Sequence, residues 1–385
     1  MRIAYCTTLR LPSDRARSYQ VAKVAEALQE NGHSVHIFTP WADDGETVTS
    51  VYGLSTPLSI ERLGMRKPGG ADAFFRLFRG MLTIGAFRRA LKRTLTDRRN
   101  AFDLIYTNTP ELLPELGRIG LPVILELRHM PKRLSARFIT SLKRCRLVVV
   151  LTSALRQALV DGGLVDIPVI VESDGVDLQD FETTAPIDQT RASLGVRSGV
   201  PLLTFVGTLM VEGHSRGIPE MLVALDILRK RGLAFRSVIA GGPPDVAERL
   251  NATVPDGLTP MLTFLGLISR LQVPSLLAAS DVLLFPAPDS DHPFFLQSFS
   301  PLQLFEYLAS GRPSLVPDLP PLRDIADESL VTFYPSGSSE GLAKAIRLVL
   351  DDPEGARKKA GLARAHIAQF SWQRRMERVV GAMGG

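Results

Sequence analysis

The opening residues MRIAYCTTLRLPSDRARSYQVAKVAEALQENGHSVHIFT (1–39) contain a strand, a helix and a second strand in that order. RIAYCT (2–7) and SVHIFT (34–39) are short apolar runs rich in β-forming residues and bounded by turn formers. Between them Val21, Val24, Ala25 and Leu28 fall at i, i+3, i+4 and i+7, and Gly32 follows as a helix stop. Nearly continuous apolar strands separated by a crossover helix specify a parallel sheet covered on both faces.

The same alternation runs onward through DLIYT (103–107), PVILE (122–126), LVVVL (147–151) and PVIVE (168–172). It then starts afresh with PLLTFV (201–206), FRSVIA (235–240), LTFL (262–265), DVLLF (281–285), PSLV (313–316) and LVTF (330–333). Between Asp174 and Gly199 the chain is polar, of mixed charge, and carries no strong strand. The expectation is an α/β protein of two doubly wound, Rossmann-like domains with parallel sheets, divided as 1–180, a linker 181–198, and 199–369. In such sheets ligands bind beyond the carboxyl ends of the strands, which directs the search to strand-to-helix loops facing a cleft between the domains.

Length and composition agree with this division. A chain of 385 residues suits two cores, and 45% hydrophobic against 22% charged residues is globular composition. No apolar run reaches the ~20 residues of a membrane helix, and the first residues read as a strand where a signal peptide would place its apolar stretch, so a cytoplasmic protein is expected. Cys6 and Cys145 lack metal-ligand or disulfide spacing and read as buried thiols. The net charge of +5 is unevenly spread. Residues 1–150 hold 24 Lys and Arg against 13 Asp and Glu, while the remainder is net acidic. The first domain therefore faces something anionic, with lipid headgroups or a phosphorylated acceptor ranked ahead of nucleic acid, for which no motif is present.

The richest stretch is SPLQLFEYLASGRP (300–313). Ser300 as N-cap, Pro301 at the first helical position, and Gly311 then Pro313 at the exit delimit a short helix whose N-terminus suits a phosphate. Glu306 sits inside the apolar run LFEYLA and needs partners if buried. A ribose diol or a salt bridge would each satisfy it.

At these residues a family resemblance is plain. SPLQLFEYLASGRPSLVPDLPPLRDI (300–325) resembles the nucleotide-sugar segment of glycosyltransferase family 4, commonly written SP-x-K-x-x-EY-x-A-x-G-x-P. FVGTL with RGI (205–218), FLGLISRLQVPSLLAASDVLLFP (264–286), ESDGVDLQDF (172–181) and ENGHSVHIFTP (30–40) are similar, in the same order, to other blocks of that family. The resemblance implies a GT-B fold and transfer of a sugar from a nucleoside diphosphate sugar, UDP or GDP ahead of ADP, to a glycan or lipid-linked acceptor. It implies retention of anomeric configuration, no cofactor and no metal, and a role in cell envelope polysaccharide synthesis. It also implies that a final helix, 370–385 with Trp372, packs back on the first domain.

Residue by residue, the resemblance places Glu306 on the donor ribose and Ser300 and Leu302 beside the diphosphate, with Gly207 in the loop that approaches it. Of the family's basic pair, the first position is Thr208 and Arg216 stands for the second. The family's donor-sugar glutamate is replaced by Ser298 and the lysine of its helix motif by Gln303, so Asp289, Asp291 or His292 is considered as a substitute toward the sugar. On the other domain ELRHMP (126–131) is similar to the family's segment reaching the cleft, which makes Arg128 and His129 acceptor-side candidates, with Arg15 and Arg17 in the overhanging loop. Arg216, Glu306 and His129 are the expected catalytic set; a purely structural histidine is the alternative for His129.

Between Arg62 and Arg99 basic residues interleave with Phe74, Phe75, Phe78, Met81, Leu82, Ile84 and Phe87. Such a segment either lies on an anionic membrane or packs its apolar face on the sheet and leaves the basic back in water. Three rival functions share the architecture: a nucleotide-sugar epimerase, a dinucleotide-dependent oxidoreductase, disfavoured by the lack of G-x-G-x-x-G, and a non-catalytic nucleotide-binding relative.

Overall fold

The computed structural model describes residues 1–13, 15–64, 73–130, 136–164, 166, 168–182, 184–211, 213–299 and 301–383, with the backbone alone for 73–82 and 137. The chain forms two compact units, Met1–Asp174 with Trp372–Gly385, and Gly175–Ser371. The stretch 181–198, read from sequence as a linker, contains the helix Ile187–Ser193 and groups with the second unit.

Among the described residues the first unit holds a sheet of seven parallel strands: β1 (Arg2–Cys6), β2 (Ser34–Thr39), β3 (Ser59–Arg62), β4 (Leu104–Thr107), β5 (Val123–Leu127), β6 (Leu147–Val150) and β7 (Val169–Val171). Their order is β3-β2-β1-β4-β5-β6-β7. The crossover helix Ala16–Glu30 buries Val21, Val24, Ala25 and Leu28, the four positions of its 3.6-residue stripe. The edge strand β3, sequence SIER, was not foreseen, because its residues are exposed or half-buried and carry no apolar signal.

The helix Ala73–Asp97 buries Phe87, Leu91 and Leu95 in the core of this unit. Arg88 pairs with Glu115 at 2.7 Å and Arg98 with Glu61 at 2.6 Å, while Arg89, Lys92 and Arg93 face solvent. The side chains of Phe74, Phe75, Phe78, Met81 and Leu82, and all of Arg66 and Lys67, lie outside the described residues. The helix Trp372–Gly381 belongs to this unit too, burying Trp372, Arg375, Met376 and Val379 on one stripe, and Asn31 Nδ2 donates to the Gln373 carbonyl at 3.0 Å. No described helix is long and apolar enough to cross a membrane.

The second unit holds, among its described residues, a parallel sheet of β8 (Leu202–Val206), β11 (Arg236–Ala240), β12 (Leu262–Gly266), β13 (Val282–Leu284), β14 (Ser314–Pro317) and β15 (Thr332–Tyr334). A separate hairpin, β9 (Met210–Val211) and β10 (His214–Ser215), interrupts the loop after β8. Sheet order is β12-β11-β8-β13-β14-β15. Alternate residues feed opposite faces: Leu202, Leu283 and Val316 enter one core, and Leu203, Leu284 and Leu315 the other. That two-residue alternation of fully apolar positions explains why the strands read as unbroken hydrophobic runs. Cys6 and Cys145 are buried and unbridged, and burial pushes both thiols up.

Candidate functional site

In the second sheet the strand order reverses between β8 and β13, the place in a doubly wound sheet where ligands bind beyond the carboxyl ends of the strands. The loop after β8 is held tightly. Gly207 N–H donates to the Ala240 carbonyl at 2.9 Å and Leu209 N–H to the Gly242 carbonyl at 2.9 Å. At Gly241, whose φ is +154°, a Cβ would fall 1.8 Å from the Gly207 carbonyl oxygen, so the two backbones touch. Gly217 precedes the helix Ile218–Lys230 with φ +79°, and a Cβ there would lie 2.5 Å from the backbone of Ala287, in the loop after β13. The two loops are thus in contact through backbone that only glycine permits.

Arg216, immediately before that glycine, is 3% exposed. Its Nη2 donates to Gln303 Oε1 at 2.7 Å, and its guanidinium carbon lies 4.7 Å from the Phe299 ring centre and 5.3 Å from that of Phe285. Its buried Nε has no hydrogen-bond partner, and no carboxylate pairs with it among the described residues. Burial without a counter-anion pushes its pKa down to about 10, yet the group remains a cation at neutral pH. A buried cation of this kind is complementary to an anion that the protein itself does not supply.

Gln303, standing where the family has a lysine, changes the electrostatics around this cation. Its amide is buried and bridges Arg216 to the Tyr307 hydroxyl, with Nε2 donating at 2.9 Å. Tyr307 in turn accepts the Val206 N–H at 2.8 Å and donates to the Leu284 carbonyl at 3.2 Å, linking the ends of β8 and β13. A lysine at 303 would set a second cation against Arg216, whereas the glutamine carbonyl orients it. Gly207 packs on the same amide, since a Cβ would meet it at 3.0 Å.

The helix Leu302–Ser310 begins one residue later than the sequence suggests, with Pro301 in extended conformation as its N-cap, and ends at Gly311 with φ +66°. Leu302 is buried in the first turn, Ser298 is buried at the end of the helix Pro293–Gln297, Thr208 is exposed, and Ser300 lies outside the described residues. Glu306 is largely buried and paired with Arg270. Arg270 was missed. The local signal in that stretch was SRLQ (269–272), where Ser269 and Gln272 form a capping box shortly after β12. Also unforeseen is the contact between His214 of the hairpin and His292, whose rings lie 4.3 Å apart; His292 Nδ1 accepts from Phe294 N–H at 3.2 Å. Asp289 and Asp291 are exposed in the same loop.

In the first unit, Arg128 is held by carboxylates of the protein itself. It reaches Glu126 at 2.6 Å and both oxygens of Asp174 at 2.9 Å, within a buried group completed by Arg375, 3.1 Å from Glu126, and the Tyr106 hydroxyl, 2.6 Å from it. Burial alone would push the Glu126 carboxyl up, but Arg375, Arg128 and Tyr106 bring it down to about 2. Burial pushes Asp174 up against the opposing pull of Arg128. The group ties β4, β5 and the final helix together. His129, by contrast, is exposed beyond β5, Arg15 is exposed at the N-cap of the helix Ala16–Glu30, and Arg17 is half-buried in its first turn.

Comparison with known proteins adds identity to this geometry. The profile of the family described as "Glycosyltransferase Family 4" matches residues 18–180, and that described as "Glycosyl transferases group 1" matches residues 200–352. A GDP-mannose-dependent alpha-(1-6)-phosphatidylinositol dimannoside mannosyltransferase of Mycobacterium tuberculosis is 32% identical over 214 residues, 54% of this chain and 50% of the relative. A D-inositol 3-phosphate glycosyltransferase of Nocardia farcinica is 31% identical over 196 residues, 47% of this chain and 40% of the relative. The chain thus spans about half or less of the length of these curated relatives. Anabaena HepE, solved in complex with UDP, superposes with a TM-score of 0.73 over all of both chains at 17% identity, a likeness of fold.

Proposed function

Since the chain belongs to the family 4 glycosyltransferases of GT-B fold, we propose that it transfers a sugar from a nucleoside diphosphate sugar to a glycan or lipid-linked acceptor, with retention at the anomeric carbon. The observation that carries this reading is Arg216: a buried guanidinium with no carboxylate partner among the described residues, beside the Gly207 turn and the start of the helix Leu302–Ser310. A diphosphate supplies the anion, and the first-turn N–H groups of that helix add donors and a positive dipole end.

In this reading Glu306 accepts hydrogen bonds from the donor ribose while Arg270 fixes the carboxylate from the other side. The bond from the anomeric carbon to the diphosphate oxygen breaks as the acceptor hydroxyl oxygen bonds to the same face of that carbon. The hydroxyl proton passes to the departing diphosphate, whose growing negative charge Arg216 stabilises. The reaction so written calls for no metal and no protein nucleophile. His129, Arg15 and Arg17 are proposed on the acceptor side, and Asp289, Asp291 and His292 toward the donor sugar. The GDP-mannose named for the mycobacterial relative and the UDP bound to HepE support a guanosine or uridine diphosphate donor. The exposed cations Arg89, Lys92 and Arg93 support attachment of the protein to the cytoplasmic face of an anionic membrane, where a lipid-linked acceptor of envelope polysaccharide synthesis would reside.

The test is thermal unfolding of the protein with UDP, GDP and ADP, alongside Glu306→Ala, followed by product analysis with the matching nucleotide sugars. One nucleoside diphosphate should raise the midpoint in the parent and fail to do so in Glu306→Ala. If no nucleoside diphosphate acts at any concentration, the transferase reading is wrong; binding without turnover of any sugar nucleotide would instead make the chain a non-catalytic relative.

A further inference from the structure

The second sheet has another edge, where its strands begin, opposite the loops that carry Gly207 and Arg216. There Pro201, Asp281 and Pro313, the residues just ahead of β8, β13 and β14, form the floor of a cavity of about 730 Å³. One wall is the helix Ile187–Ser193; the other is the junction of the helices Ser339–Asp351 and Pro353–Ile367. Its volume lies within the range of small-molecule pockets.

Three guanidinium groups line it, against the carboxylates of Asp188 and Asp281. Arg191 is committed: it donates to Asp281 at 2.9 Å, to the Ala279 carbonyl at 2.9 Å and to the Val200 carbonyl at 2.6 Å. Asp281 also accepts the Leu202 N–H at 2.8 Å, so this ion pair secures the start of β8. Arg312 and Arg357 are different. Neither guanidinium has a carboxylate or carbonyl acceptor among the described residues, although Arg312 is half-buried and Arg357 stands at the rim. Burial makes Arg312 a weaker base, the Asp281 carboxylate opposes this, and Arg191 and then Arg357 add to the lowering. Arg312 and Arg357 thus line one cavity without a hydrogen-bonded anion among the described residues, Asp281 being bound to Arg191, and two such guanidinium groups suit the several oxygens of a phosphate. Ile187, Val196 and Leu350 supply an apolar side to the same cavity.

We propose that this cavity binds a small organic phosphate, its phosphate held between Arg312 and Arg357 and its organic body against Ile187, Val196 and Leu350. The site is distinct from the donor edge. The chain runs from one to the other, since Arg312 directly follows Gly311, the C-cap of the helix that bears Glu306.

Isothermal titration of the full chain with glycerol 3-phosphate, ribose 5-phosphate and inorganic phosphate tests the assignment, using Arg312→Gln/Arg357→Gln, Arg357→Gln alone and Arg216→Met. An organic phosphate should bind the parent and Arg216→Met with equal affinity, and the double variant at least tenfold more weakly. Arg357→Gln, at an exposed position that does not threaten folding, should lose affinity in the same direction even if the double variant misfolds. Inorganic phosphate should bind through the same two arginines but more weakly. Absence of binding at millimolar concentration overturns the proposal, as does loss of binding in Arg216→Met with retention in Arg357→Gln, which would put the phosphate at the donor edge. Inorganic phosphate binding as tightly as the organic phosphates would overturn the assigned ligand class.

Discussion

Replacing Arg216 by methionine separates a cation held ready for a ligand from one that holds the fold together. Its pKa of about 10 against an ordinary 12.5 corresponds to a burial cost of about 3 kcal/mol for the charged form. Opposing it are the charge-assisted hydrogen bond to Gln303, worth about 1.5–3 kcal/mol, and the contacts with Phe285 and Phe299, worth about 1 kcal/mol. These nearly cancel. Methionine keeps the volume and the aromatic contacts, so Arg216→Met should change stability without ligand by less than about 1 kcal/mol, against ~3–5 kcal/mol for removing one partner of a buried ion pair. With a nucleoside diphosphate at 100 times its Kd the parent should gain about 2.7 kcal/mol. Loss of one charge-assisted contact weakens binding on the order of 10- to 100-fold, leaving the variant only about 0.4–1.4 kcal/mol at the same concentration. In scanning calorimetry of a unit this size each kcal/mol moves the midpoint by about 2–4 °C. A loss above 3 kcal/mol without ligand, or an undiminished ligand-induced shift, would refute the reasoning.

Glu126, with a folded pKa of about 2 against 4.5 for the free carboxyl, binds fewer protons folded than unfolded across that interval. Its contribution, about 3 kcal/mol at most, is therefore complete above pH 4.5 and lost as pH falls toward 2, with Asp174 acting in the opposite sense. Acid titration of Glu126→Gln followed by circular dichroism should show a flatter pH dependence from a lower starting stability; an unchanged slope would remove Glu126 as its source. Gly217→Ala must accommodate both φ +79° and a Cβ 2.5 Å from Ala287, whereas Gly232→Ala, at φ +80°, meets nothing within 4 Å. Urea unfolding should cost Gly232→Ala about 1–2 kcal/mol and Gly217→Ala clearly more, with weakened nucleotide binding in the second alone; equal losses would mean that the loop contact is soft. Sedimentation with phosphatidylserine vesicles should retain the parent protein and release Arg89→Gln/Lys92→Gln/Arg93→Gln, each cation contributing about 1 kcal/mol; equal retention of both proteins would leave the helix a solvated basic face.

Much of the architecture was legible without coordinates. The strands β1, β2, β4 to β8 and β11 to β15 all lie within or overlap the apolar runs read from the sequence, because a strand covered on both faces is apolar at most of its positions. Glycine at 311 and the stripe from Val21 to Leu28 marked helix ends and faces for equally local reasons. What escaped were elements lacking such a signature: the exposed edge strand β3 and the two-residue strands of the hairpin holding His214. Side-chain partnerships escaped as well. Sequence alone marked Glu306, Arg216 and Arg128 as residues needing partners or ligands. Only the fold decided that Arg270, 36 positions away, meets Glu306, that Arg128 is consumed by Glu126 and Asp174, and that Arg216 is buried with no carboxylate partner among the described residues. The physical reason is range: periodicity and capping are set by neighbours a turn or a pleat away, whereas the burial and pairing of a charge depend on which distant strand ends the sheet order brings together.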